Sequence, residues 1–131
     1  MSAENVETVR RLVEAIDDRD LDALLAELHP DAELQTMRAQ LEGTAYRGHE
    51  GTRQMLADFE RDWEYVRIDA EEFLDAGEAV VVLGRLQTRG RTSRVNLDVP
   101  MGILWRLRDG KAVHGKTFSE RADAPRAAGL E

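Results

Sequence analysis

Two residues carry most of the acid–base chemistry this sequence can offer. Asp98 stands in the middle of an alternating run, between Leu97 and Val99 and two residues before Pro100. A carboxylate buried at such a place gains a raised pKa and the character of a catalytic base. Its alternatives are the outer face of a sheet or a partnership with a nearby arginine, and a one-residue slip at Pro100 would reverse its face. Tyr46 lies in a polar stretch ahead of a helix, where a phenol can donate a hydrogen bond to a ligand carbonyl or simply pack. Arg38 and Arg47 belong to the same stretch and are candidates for holding an anion, although exposed loop arginines usually hold nothing in particular.

Other chemistries lack their residues. The chain contains no Cys, which removes thiolate nucleophiles, disulfides and cysteine-based metal sites. His29, His49 and His114 form no i, i+4 pair, and Arg53 stands where a zinc-protease helix beginning His49-Glu50 needs its second histidine. No metal site is therefore expected. Ser93 and Ser119 have no nucleophile-elbow context, and Gly84, Gly90 and Gly102 form no phosphate loop. Any reaction would proceed without a cofactor.

The elements that position these residues follow from periodicity. Val6, Val9, Leu12, Val13 and Ile16 make one apolar helical stripe over residues 4–17. Asp20 caps a second helix carrying Leu21, Leu24, Leu25 and Leu28, which Pro30 stops. Ala32–Met37 reads as a short strand and 38–48 as a loop. A third helix spans about His49–Asp62, with Thr52, Met55, Leu56 and Phe59 on one side. Alternating segments follow: one from Val66 with a phase break at Glu71-Glu72, then Ala79–Thr88, then Arg94–Arg108 with a bend at Pro100, and finally Lys111–Ser119. Asp109-Gly110 joins the last two as a tight hairpin. Helices grouped before a meander predict an α+β fold in a single domain over 1–131, with three N-terminal helices packed on one face of a mainly antiparallel sheet.

Bulk properties narrow the partners. A net charge of −8 disfavours general nucleic-acid binding, which needs a basic face. Arg85, Arg89, Arg91 and Arg94 gather at one predicted turn and read as a solvated hairpin tip. No apolar run approaches the ~20 residues of a membrane span, so no membrane partner is expected. Met1–Glu7 has no basic region followed by an apolar stretch, so no signal peptide is expected, and a cytoplasmic location fits the lack of Cys.

Several segments, in this order and spacing, resemble one known family. They are Arg19-Asp20-Leu21-Asp22, His29-Pro30-Asp31-Ala32, Tyr46-Arg47-Gly48-His49-Glu50-Gly51, Leu74-Asp75-Ala76-Gly77, Arg89-Gly90-Arg91-Thr92-Ser93, Leu104-Trp105-Arg106-Leu107-Arg108-Asp109-Gly110-Lys111, and the alanine-rich tail from Arg121. Together they resemble the SnoaL-like proteins of the nuclear transport factor 2 (NTF2-like) superfamily. The resemblance implies a cone in which the helices pack on the concave face of a curved sheet. It also implies an apolar pocket between them and a homodimer formed through the convex face.

By the same resemblance, ketosteroid isomerases of this fold place their base where Thr36 stands, their phenol at Leu12 and their protonated carboxyl at Ile103. The cyclases place an acid on the last strand near Thr117. None of these side chains titrates near neutrality, so steroid isomerisation is not expected. The expected pocket wall is Thr36, Arg38, Phe59, Trp63, Met101, Ile103, Trp105 and Thr117, with Asp98 as base and Tyr46 as donor. The functional expectation is binding of a small apolar ligand. That reading extends to a cofactor-independent isomerase, cyclase or hydrolase acting on an apolar carbonyl-bearing compound, or alternatively to a non-catalytic ligand-binding or dimeric interaction domain.

Overall fold

The computed structural model describes residues 2–130. Helix α1 (Ser2–Asp18) buries Val9, Leu12, Val13 and Ile16 along the stripe expected from their spacing. It ends in a reciprocal cap: the Arg19 amide donates to Ile16 O and the Asp20 amide to Ala15 O, with Arg19 itself left-handed at φ 53°. Asp20 then caps α2 (Leu21–Glu27), its carboxylate accepting from the Ala23 amide at 3.1 Å.

Strand β1 (Leu28–Gln35) starts four residues earlier than the sequence pattern suggests and takes in Pro30. It pairs with β2 (Tyr46–Arg47) only at Glu33 and Leu34, so the backbone at Pro30 carries no bond to that neighbour. The segment expected as a loop contains a short helix, α3 (Met37–Leu41). Thr36 starts it by accepting from the Ala39 amide at 3.1 Å, a cap that a strand reading of 32–37 overlooks. The third expected helix is α4 (Gly48–Asp62), so four helices rather than three precede the meander.

The meander is β3 (Trp63–Asp75), β4 (Ala79–Gly90), β5 (Asn96–Arg108) and β6 (Lys111–Phe118), followed by a short α5 (Asp123–Ala127). The sheet order is β2-β1-β6-β5-β4-β3, parallel only between β1 and β6. The phase break at Glu71-Glu72 is a register shift between Ala70 and Glu72 in β3. The bend expected at Pro100 does not disturb the register, which runs unbroken from Arg89↔Asn96 to Ala79↔Arg106. Pairing with β6 begins only at Gly102, so Pro100 lies where that side of β5 has no partner for a backbone N–H.

The main core lies between the helices and the inner face of this curved sheet, where Leu12, Leu24, Val80, Val82 and Met101 are fully buried. On the outer face α5 covers a smaller cluster, with Ala124 over Val81 and Leu104. Among the described residues, no helix is long and apolar enough to cross a membrane.

Candidate functional site

The helices do not fill the curve of the sheet. A cavity of about 560 Å³ remains, walled by the inner residues of β3, β4, β5 and β6 and closed over by α3 and α4. Its floor is apolar: Met101, Ile103 and Trp105 from β5, Val66 and Ile68 from β3, Leu86 from β4. Trp105 lies across its register partner Gly115, where an added Cβ would stand 2.5 Å from the indole Cζ3. Only a glycine leaves room for the ring to lie flat against β6.

The polar groups gather at the end formed by α3, α4 and Tyr46. Residues 55, 58, 59 and 62 fall on one side of α4 at three- and four-residue steps, so Asp58 and Asp62 line the cavity with Met55 and Phe59. Tyr46 is held close against this helix by Gly51, whose added Cβ would meet the Tyr46 carbonyl carbon at 2.9 Å. From there the Tyr46 hydroxyl donates to Asp58 Oδ2 at 2.6 Å. Gln54 donates to Oδ1 at 2.7 Å, and Arg61 approaches the same oxygen at 3.2 Å. Arg38 of α3 reaches Asp62 at 2.5 Å, and Arg61 donates to both Asp62 oxygens at 2.9 Å.

These contacts fix the charge states. Burial, reinforced by the bond to Asp58, pushes the Tyr46 phenol up to about 12. The Tyr46 hydroxyl in turn holds Asp58 below the usual carboxylate range. Hydrogen bonds from Arg61 and then Arg38 bring Asp62 down to about 2. Near neutrality the site therefore presents a neutral phenol and two ionised carboxylates.

Thr36, Arg38, Phe59, Trp63, Met101, Ile103, Trp105, Thr117 and Tyr46 all border this cavity. Two of the polar ones differ from the sequence reading in what they offer. The Thr36 oxygen is engaged in capping α3, and the Tyr46 proton is engaged by Asp58. Asp98 is the correction. It lies on the outer face of β5 opposite Gln87, while its neighbours Leu97 and Val99 face the cavity. Arg85 donates to it at 2.7 Å and holds its carboxyl below the usual range, the opposite of the raised pKa expected of a buried base. The physical reason is the intact register at Pro100, which leaves strict alternation in force.

Residues singled out for other reasons sit elsewhere. Arg47 pairs with Glu33 on the exposed side of β1 and β2. His49 Nε2 bonds Leu28 O at 3.1 Å, and His114 bonds Gln35 Oε1 at 2.8 Å. The four hairpin arginines are matched by acids: Arg85 by Asp98, Arg89 and Arg94 by Glu64, Arg91 by Glu60. Among the described residues, no group of three or more His, Asp or Glu converges in a way that would hold a metal.

Sequence reasoning missed Asp58, Asp62, Thr88 and Glu120, all of which border the cavity. Thr88 and Trp105 matter for another reason. Each is at least 95% buried, and the Thr88 hydroxyl and Trp105 indole N–H have no hydrogen-bond partner among the described residues. Partnerless buried polar atoms are uncommon in folded proteins and call for a cause, a water or ligand among them.

The SnoaL-like domain family matches residues 9–115, from within α1 to within β6. The chain belongs to this family. Solved structures of this SnoaL-like chain's fold are similar over nearly the full length. An NTF2-like protein of unknown function from Burkholderia pseudomallei shares 26% identity at a TM-score of 0.79, covering 94% of this chain and 95% of its own. TerC, crystallised with polyporic acid, shares 23% identity at a TM-score of 0.78 over 96% and 98%. A protein of ketosteroid isomerase-like fold from Catenulispora acidiphila, in complex with trimethylamine, shares 19% at 0.76 over 95% and 94%. No curated protein sequence matches the chain.

Proposed function

We propose that this SnoaL-like domain binds a largely apolar, ring-containing small molecule that bears a carbonyl group. The observation that carries the reading is the roughly 560 Å³ cavity with an apolar floor, whose lining residues include Thr88 and Trp105. The volume suits a drug-sized organic compound, and apolar walls with few polar groups are the usual make-up of such sites. An indole N–H can only donate, so the partner it lacks is an acceptor, and a carbonyl oxygen supplies one. Thr88 adds a hydroxyl that can serve either way.

Binding is favoured over turnover by the state of the acids. A general base works best with a pKa near the operating pH. Asp62 sits near 2, Asp58 is also depressed, and Tyr46 sits near 12. None of these groups exchanges a proton readily at neutrality. The homodimer that the family resemblance implies goes with this proposal, and a monomer mass by sedimentation would remove it.

A matched pair of probes tests the reading. A ligand that binds the folded state alone raises the melting temperature with its concentration. The bicyclic ketone 1-tetralone should stabilise the protein more than tetralin, which lacks the carbonyl, and mass spectrometry should recover the ketone unchanged. In Trp105→Phe the two should become equivalent. No stabilisation by either compound would end the proposal.

A further inference from the structure

The polar end of the cavity is rich in charged hydrogen-bond acceptors. The single proton of the Tyr46 hydroxyl is committed to Asp58, so what the phenol has left is lone pairs. Asp58 is ionised and can only accept. Asp62 is ionised as well, and Glu120 adds a third carboxylate to the lining. Arg38 is the one cation among the lining residues, and it is already engaged by Asp62 at 2.5 Å and Glu42 at 3.5 Å. Arg61, outside the lining, is shared between Asp58 and Asp62. The lining therefore carries a surplus of negative charge beside an apolar floor.

We propose that Asp58 and Tyr46 together select ligands that present a neutral hydroxyl, such as a phenol, to this end of the cavity, and that they turn away carboxylate-bearing analogues of the same ring system. The proposal rests on the reading of the cavity as a ligand site and deepens it by naming the group recognised. A hydroxyl donates its proton to the Asp58 carboxylate or the Tyr46 oxygen, a bond to a charged acceptor being stronger than one between neutral groups. A carboxylate brought to the same place is repelled by the ionised Asp58 and Asp62, and the cation of the lining, Arg38, is already paired with Asp62 and Glu42.

Three soluble probes with one ring system separate the possibilities: naphthalene, 2-naphthol and 2-naphthoate, titrated into the full chain at pH 7. The expected order is 2-naphthol about tenfold tighter than naphthalene, the size of one hydrogen bond to a charged partner, with 2-naphthoate weaker than naphthalene. In Asp58→Asn the preference for naphthol over naphthalene should fall below about threefold. Should Asp58→Asn fail to fold, Tyr46→Phe decides, because it removes the phenol oxygen and should also reduce the naphthol preference. Equal binding of naphthol and naphthalene overturns the proposal while leaving the cavity reading intact. Tightest binding by 2-naphthoate also overturns it and assigns recognition to Arg38. Failure of all three to bind removes the cavity reading and this proposal together.

Discussion

Placing a methyl group at position 115 should damage this protein in a way that can be worked out from one contact. An alanine Cβ there would stand 2.5 Å from Trp105 Cζ3, 2.8 Å from Cε3 and 3.0 Å from Cη2. Carbon atoms in good contact sit roughly 3.5–4.0 Å apart, so the indole must rise by about 1 Å. The Cβ points from the inner face of β6, so the ring is driven toward the helices and into the cavity it lines. Overpacking of this kind costs about 1–3 kcal/mol. For 131 residues the unfolding entropy is roughly 0.28 kcal/mol/K, so a cost near 2 kcal/mol lowers the melting temperature by about 7 °C. Because the cavity gives the ring somewhere to go, the stability loss should fall at or below the middle of that range. The displaced ring should also narrow the cavity, so Gly115→Ala should weaken 1-tetralone binding along with stability. Thermal denaturation followed by circular dichroism measures the first effect, and tryptophan fluorescence, with Trp63→Phe to isolate Trp105, reports the second. A melting temperature within about 1 °C of the parent, with unchanged emission and ligand affinity, would refute the seating of Trp105 on Gly115.

Two further outcomes follow from the charged groups. Asp98→Asn should leave both the melting temperature and the affinity for 1-tetralone at parental values, because the Arg85–Asp98 pair is an exposed contact on the outer face; a loss of ligand binding would return Asp98 to the site. Stability should fall as the pH drops from about 4 toward 2: the folded pKa values of Asp58 and Asp62 lie below the unfolded value, so their contribution is present above it and is lost on protonation. Asp17, raised mainly by burial, acts in the opposite sense and gains on acidification. Urea denaturation across this range should therefore show an acid limb that Asp62→Asn flattens, and an unchanged limb would contradict the Arg38–Asp62–Arg61 cluster.

The parts of this fold that were legible in the sequence are those fixed by a repeated local rule. The α1 stripe, the Asp20 cap, the phase break at Glu71-Glu72 and the Asp109-Gly110 hairpin each repeat or concentrate a pattern that one segment suffices to express. The short helix α3 was not legible, because five residues carry too little periodicity and the signal is a single hydroxyl, Thr36, acting as a cap. Pro100 misled in the other direction. A proline in a strand implies a bulge or an unpaired position, and sequence cannot say which. The answer depends on how far β6 extends, which is settled by where the last hairpin places Phe118 opposite Gly102.

The same contrast explains why the candidate site moved from Asp98 to Asp58. Asp98 drew attention because a carboxylate amid Leu97, Val99 and Met101 looks buried, yet alternation that puts those three on the inner face necessarily puts Asp98 on the outer one. Asp58 drew none because it sits in a charged helix, Asp58-Phe59-Glu60-Arg61-Asp62, where acids are expected in solvent. The periodicity of α4 nevertheless contained the information. With Met55 and Phe59 inward, residues 58 and 62 must border the same face, and a helix spanning the mouth of an unfilled cavity turns that border into lining. What no local pattern could supply is the partner: Tyr46 reaches Asp58 only because β2 crosses the start of α4 at a glycine, Gly51, that lets the two backbones touch. The chemistry of the cavity is thus set by a close approach between segments rather than by a motif, and a substitution at Gly51 reaches the cavity as directly as one at Tyr46.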